Sequence, residues 1–285
     1  MAWRETVNRA LVGATGYRFV KAGPARAGAA AGKPAAKPAG GAGTGAGAGA
    51  GAGKAKRGPG PLKRYYDDEA RAILTAVKPW TMTSYDRIFA LVVAVRYVAA
   101  NAIPGDVVEC GVWRGGSMQA VARTLVAAGA ADRELHLFDT FEGMPPPSEA
   151  DRRIRSGPTA EQMLAEQPRT GLVWAIASLE DVQAGMAQTG YPESLVHYHP
   201  GRVQDTIPGG APERIALLRL DTDWYESTKH ELEHLYDRLT PGGVLIIDDY
   251  DYWEGSRKAV DEFVAETGAR LLLVPIDTGR IAVKP

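Results

Sequence analysis

The chain has almost no cysteine. Cys110 is the only one in 285 residues, so no intrachain disulfide framework can form and a reducing compartment is the expected setting. It also lacks any apolar run near the roughly 20 residues that a bilayer-spanning helix requires. The best stretch, IFALVVAVRYVAANAI, is broken by Arg96. MAWRETVNRA contains no apolar h-region, which argues against a secretory signal. Acids are nearly missing from the first 66 positions, where Glu5 stands against twelve Lys and Arg, whereas the remainder carries 33 acids against 21 bases. A basic tail therefore precedes an acidic body. The tail shows no aromatic or fold signature of a nucleic-acid module. The expectation is a cytoplasmic protein with no transmembrane segment and no specific nucleic-acid partner, its tail making at most weak contact with anionic surfaces.

Three regions follow from composition. Residues 1–21 are a short basic segment that would place Trp3, Val7 and Leu11 on one side of a helix. A weak anchor to a polyanion or membrane, a small packed helix and an unstructured segment all remain open for it. Residues 22–61 collapse to Ala, Gly, Pro and Lys around GAGTGAGAGAGAG. With no large side chain to bury, nothing offsets the entropy of ordering them, and a disordered, flexible linker is expected. Residues 62–285 read as one globular domain. DDEARAILTAV and SYDRIFALVVAVRYVAAN have helical periodicity. Seven short apolar runs then alternate with helical stretches: DVVEC, ELHLFD, LVHYHPG, IALLRLD, VLIIDD, RLLLVPI and RIAVKP. The last two are joined by DTG, a hairpin signal. This pattern predicts an α/β fold, a doubly wound seven-stranded, mostly parallel sheet with a final antiparallel strand. Ligands of such sheets gather at the carboxyl ends of the strands.

Chemistry-bearing residues cluster at those ends. After the first strand, Gly111, Gly115 and Gly116 predict a tight turn that lets a ligand approach the backbone. Glu109 would repel a pyrophosphate there but tolerate an amino group or a sulfonium. Asp139 ends the second strand, placed to accept both hydroxyls of a ribose; His136 inside that strand reads as a core histidine. Asp221 follows one apolar strand, and Asp248 and Asp249 follow the next. Neighbouring strands would bring these carboxylates to about 5 Å, where they repel unless a cation neutralises them. All-oxygen ligands suit a hard ion such as Mg2+. Asp223 reads as a helix cap.

One motif competes. HELEH, His230 to His234, matches the H-E-x-x-H of zinc peptidases. Leu232, Leu235, Tyr236 and Leu239 form the buried stripe of that helix, which turns the two histidines toward solvent. No further motif supplies a third ligand, so the match reads as an accident of an amphipathic helix.

The stretches PGDVVECGVWRGGS, LFDTFEGMP, LRLDTDWYEST, PGGVLIIDDY and AVDEF, from about Met82 onward, strongly resemble the macrocin O-methyltransferase (TylF-like) family. The resemblance implies a class I, Rossmann-like methyltransferase fold. It also implies transfer of a methyl group from S-adenosylmethionine, with magnesium, to a sugar hydroxyl of a natural product or glycan, by a homodimer. Carried over by motif, Glu109, Gly111, Val112 and Trp113, with Arg114, Gly115 and Ser117, would hold the methionine end of the cofactor. Asp139, Phe141 and Glu142 would hold the ribose, Asp205 the adenine side, and Thr83 would add a contact from the leading helix. Asp221, Asp248 and Asp249 would ligate magnesium, with Asp221 the general base. The Pro- and charge-rich stretch after LFDTFEG reads either as a mobile lid bearing Arg152, Arg153 and Arg155 or as an ordinary exposed loop. Tyr252 and Trp253 read as a sugar-stacking face or as packing. The rival functions are a catechol-type O-methyltransferase of aromatic diols and a non-catalytic sheet domain tethered by its tail.

Overall fold

The computed structural model describes residues 62–154 and 157–285. The segments expected at 1–21 and 22–61, and Arg155, lie outside the described residues. The Asp67 carboxylate accepts the Ala70 N–H and starts α1 (Asp68–Val77), and the Ser84 hydroxyl accepts the Arg87 N–H and starts α2 (Tyr85–Ala100). Arg96, which interrupts the apolar run of α2, reaches back to Asp67 and Glu69 at 2.6 and 2.8 Å and ties the two helices together.

Strands and helices then alternate: β1 (Asp106–Cys110), α3 (Gly116–Ala127), β2 (Leu135–Asp139), α4 (Ala160–Glu166), α5 (Leu179–Ala187), β3 (Val196–Pro200), α6 (Val203–Thr206), β4 (Ile215–Leu220), α7 (Tyr225–Leu235), β5 (Leu239–Ile247), α8 (Glu254–Thr267), β6 (Val274–Ile276) and β7 (Gly279–Val283). They build one seven-stranded sheet in the order β3-β2-β1-β4-β5-β7-β6. β1 to β5 are parallel, and β7 runs antiparallel to both β5 and β6. The expected architecture is present. RLLLVPI forms a shorter strand than its sequence suggests: only three residues pair, and Leu272 stays exposed at the sheet edge. Among the described residues no helix is long and apolar enough to cross a membrane.

The pleat sorts each strand between two cores. Val107, Leu137, Leu217 and Ile246 face α2, α3 and α5. Val108, Phe138, Leu218 and Leu245 face α7 and α8. The strand order puts β1, β4 and β5 side by side at the centre, and their carboxyl ends carry the acidic residues.

Candidate active site

The centre of the site is a residue that sequence reasoning missed. Arg219 lies in mid-β4, directly across from Glu109 of β1, and is 3% exposed. Its guanidinium donates to Glu109, contacts Asp221 Oδ2 at 2.8 Å and Asp248 Oδ1 at 2.9 Å, and donates to Thr83 Oγ1 at 3.2 Å. Residues two apart on a strand share a face, so Arg219 and Asp221 point the same way, and Ile246 and Asp248 do likewise. The ladder continues past the strand ends to hold them there: Asp221 N–H donates to Cys110 O at 2.8 Å, and Asp248 N–H to Leu220 O at 2.9 Å. Arg87 of α2 adds a second cation, ion-paired with Asp248 and donating to its carbonyl at 3.1 Å. The available signal was a lone Arg inside the apolar run IALLRLD, since an arginine in a central strand must find carboxylates.

These two arginines supply part of the positive charge that the clustered acids were expected to need. They do so unevenly. Burial opposes the charge of Asp248, but Arg219 and Arg87 outweigh it and hold its carboxyl below the usual range. Burial pushes Asp221 well up; Arg219 opposes this, and Asp248 and Asp249 reinforce it. Asp249 is also pushed up, by burial and then by the neighbouring Asp223 carboxylate. Burial raises Glu109 to about 7 against the pull of Arg219. One ligand atom from each of Asp221, Asp248 and Asp249 lies within 4.8 Å of the others. Asp249 Oδ2 is buried with no hydrogen-bond partner. The set is all oxygen and retains uncompensated negative charge, so it fits a hard divalent cation. Asp221 is its open edge, with a side chain 24% exposed against 3% for Asp248.

Beside this cluster, β1 runs through Gly111 to Gly115 into α3. A Cβ on Gly111 would sit 2.2 Å from the Asp221 carbonyl oxygen, and one on Gly116 would sit 2.5 Å from that of Trp80. The protein's own backbone, rather than a ligand, therefore demands those two glycines. The Asp139 carboxylate is also committed locally. It accepts Val112 N–H at 2.6 Å and Trp113 N–H at 2.9 Å on Oδ2, and Phe141 N–H at 2.8 Å on Oδ1. A carboxylate offers about four acceptor positions; these amides fill three of them, so Asp139 also ties β2 to the turn. The exposed Glu142 next to it has no such commitment. Trp113, Phe141 and Asp223 all hold left-handed φ, between 48° and 68°, a conformation that collects at functional sites. Glu109 and Thr83 are buried in the Arg219 cluster. Arg114 forks onto Asp181 of α5 at 2.6 and 3.1 Å and stacks on Trp80, which leaves it as a clamp between α5 and the turn. Val112 and Ser117 are buried in the turn and at the start of α3, whose Gly115 cap offers no side chain to the first amides. Asp205 lies exposed on α6.

Other expectations are corrected here. Asp223 is not the cap of α7; that place belongs to Trp224, and Tyr225 N–H donates instead to Asp151 Oδ1 at 2.8 Å. Asp151 is 1% exposed and also receives the Ser148 N–H and hydroxyl. The stretch read as either a mobile lid or an ordinary exposed loop is fastened beside the acidic trio: Arg152 O accepts Glu254 N–H at 2.8 Å, and Arg153 bridges to Trp253. Trp253 is buried against Trp224, and Arg153 lies over the Tyr252 ring, so neither offers a free sugar-stacking face.

In HELEH, the leucine stripe is buried as expected, but the histidines are half-buried instead of solvent-facing. His230 Nε2 is 3.1 Å from Ile207 O, and His234 Nδ1 is 2.8 Å from His230 O. Glu231 between them is fully buried and accepts the Thr222 hydroxyl at 2.9 Å, behind Asp221. A glutamate so enclosed cannot activate a water. Burial raises its carboxyl well above the usual range, so the folded state favours its protonated form, and the chain loses stability as pH rises from the ordinary glutamate value of about 4.3 toward the folded one. The isosteric Glu231→Gln variant escapes that loss. Its unfolding free energy relative to the parent should be near zero at about pH 4 and grow in its favour above that. A difference that is flat with pH in urea titrations would refute the assignment.

Comparison with known proteins agrees with this geometry. Residues 63–283 match the family model for Macrocin-O-methyltransferase (TylF), so the match takes in α1, ahead of the first motif noted in the sequence. Over 188 residues the chain is 38% identical to the 8-demethyl-8-(2,3-dimethoxy-alpha-L-rhamnosyl)-tetracenomycin-C 4'-O-methyltransferase of Streptomyces olivaceus, covering 66% of this chain and 69% of that protein. It is 36% identical over 197 residues to the Mycinamicin III 3''-O-methyltransferase of Micromonospora griseorubida, covering 69% and 75%. The solved structure of the O-methyltransferase NovP superposes with a TM-score of 0.63 at 32% identity, covering 72% of this chain and 82% of its own. The chain belongs to the macrocin O-methyltransferase (TylF) family and is an O-methyltransferase that uses S-adenosylmethionine.

Proposed function

We propose that the enzyme methylates a sugar hydroxyl of a glycosylated natural product, with a magnesium ion held by Asp221, Asp248 and Asp249. The observation that carries the metal reading is the buried, unpartnered Asp249 Oδ2 beside two further carboxylates. The acceptor class rests on the relatives, which are named for a rhamnosyl tetracenomycin and for mycinamicin III. A homodimer in the cytoplasm belongs to the same proposal.

S-adenosylmethionine supplies an electrophilic methyl carbon on its sulfonium. Magnesium, when bound, supplies positive charge that lowers the pKa of a nearby hydroxyl. Asp221, the most open of the three carboxylates, takes the hydroxyl proton. Arg219 keeps Asp221 and Asp248 aimed along one face of the sheet. The uncapped amides at the start of α3 receive the carboxylate of the methionine end. Asp139 holds the turn in shape and, with Phe141 and Glu142 beside it, meets the ribose, with Asp205 on the adenine side.

The test is calorimetric binding of S-adenosylhomocysteine, followed by turnover on a panel of deoxysugar glycosides. Asp221→Asn should bind within about threefold of the parent, yet lose about 100-fold or more in kcat. Chelation should abolish turnover, and magnesium should restore it. Turnover that ignores both chelation and the Asn variant would overturn the proposal.

A further inference from the structure

Five histidines serve the whole chain, and three of them meet on β2 and β3. His136 is the register partner of His197, and Phe138 that of His199. They share a face with Glu134, which precedes β2 and whose N–H donates to Asp106 Oδ1 at 3.1 Å. This is the α7 side of the sheet, opposite the Arg219 cluster, and about 10 Å along β2 from Asp139 at the usual strand rise.

Glu134 Oε2 lies 3.3 Å from His136 Nε2 and 3.4 Å from His197 Nε2. An ordinary ion pair would aim an N–H at the carboxylate. Here both nitrogens are buried and neither meets hydrogen-bond geometry with the carboxylate, and His136 is 94% buried. The three atoms instead converge within 4.8 Å of one another. Tetrahedral zinc, with bonds of about 2.0–2.1 Å to nitrogen and oxygen, sets ligand-to-ligand edges of about 3.3–3.4 Å. The two distances to Glu134 have those values.

His136 is also oriented as a ligand would be. Its Nδ1 is 3.1 Å from His199 Nε2. A proton on Nδ1, donated to His199, leaves the lone pair on Nε2, which is how metal-bound histidines are commonly fixed. The Glu134 and His197 side chains are 47% and 37% exposed, which gives an ion its access route. Two imidazoles and one carboxylate suit a borderline ion, whereas magnesium prefers oxygen alone.

We propose that Glu134, His136 and His197 form a zinc-class transition-metal site that fastens the edge strand β3 to β2. It is separate from the acidic trio and from HELEH. The experiment uses the tag-free full chain, stripped with chelator, then titrated with zinc and, in parallel, with cobalt for its tetrahedral visible absorption. The parent should take up one zinc with a rise in melting temperature. His197→Ala, at a partly exposed position that folding tolerates, should bind more than about 100-fold more weakly, beyond the loss of an outer-shell partner, and lack the cobalt bands. His199→Ala should weaken zinc about 10- to 100-fold as such a partner. The Asp249→Asn and His230→Ala/His234→Ala chains should bind as the parent does. No zinc uptake by the parent, full uptake by His197→Ala, or loss of zinc in either control chain would each overturn the site.

Discussion

Replacing Arg219 with methionine is expected to cost about 3–5 kcal/mol of folding stability near neutral pH, the usual penalty for leaving buried charges without their partner. The guanidinium serves Glu109, Asp221 and Asp248 at once. Of these three acids, only Asp248 also has an ion pair to Arg87. The deficit should depend on pH in a definite sense. Asp248 has a depressed carboxyl pKa in the parent, so its contribution is present above the unfolded value of about 3.9 and fades as pH falls through the folded one. In the variant the stranded acids protonate readily, so parent and variant should converge as the medium becomes acidic. Urea unfolding across the range measures this. A second replacement, Glu109→Leu in the Arg219→Met background, should recover part of the loss, because an apolar pair of similar size avoids desolvating either charge. Equal stability of Arg219→Met and the parent at every pH would show that the cluster is not held by this residue.

Asp249→Asn should separate catalysis from folding. The magnesium reading assigns the ion several kcal/mol of charge stabilisation, and at about 1.4 kcal/mol per tenfold this corresponds to a loss of about 1,000-fold in kcat. Binding of S-adenosylhomocysteine should remain. The metal-free variant should be at least as stable as the metal-free parent, because burial and Asp223 already push the Asp249 carboxyl up. A raised folded pKa means stability lost as pH rises above the unfolded value, and the amide does not pay that cost. The rise in melting temperature expected of the parent on adding magnesium should disappear in the variant. A variant that keeps its turnover, or still gains stability from magnesium, would remove Asp249 from the ligand set.

Much of this protein is written in local pattern. Alternating apolar runs and helical stretches specify the parallel sheet, because residue-to-residue periodicity is set by backbone geometry that is the same in every protein. Asp67 and Ser84 start their helices as short-range capping predicts. The three aspartates at the ends of β4 and β5 are legible because a strand's end is marked in sequence and adjacent strands must bring their ends together. What the sequence left open depends on partners far along the chain. Arg219 looks like an intrusion in an apolar strand until β1 supplies Glu109 and β5 supplies Asp248. Asp139 reads as a ribose ligand, and only the fold shows that the β1 turn also uses its oxygens. Asp223 reads as a cap until Asp151, 72 positions earlier in the chain, takes that role. HELEH matches a metal motif that its leucine stripe already discounts, and the fold goes further by burying its glutamate, while the histidines that do converge with a carboxylate come from two different strands. Periodicity and end signals are local, and sequence alone determined them. Which charge meets which is a matter of long-range packing and desolvation, and only the tertiary structure decided it.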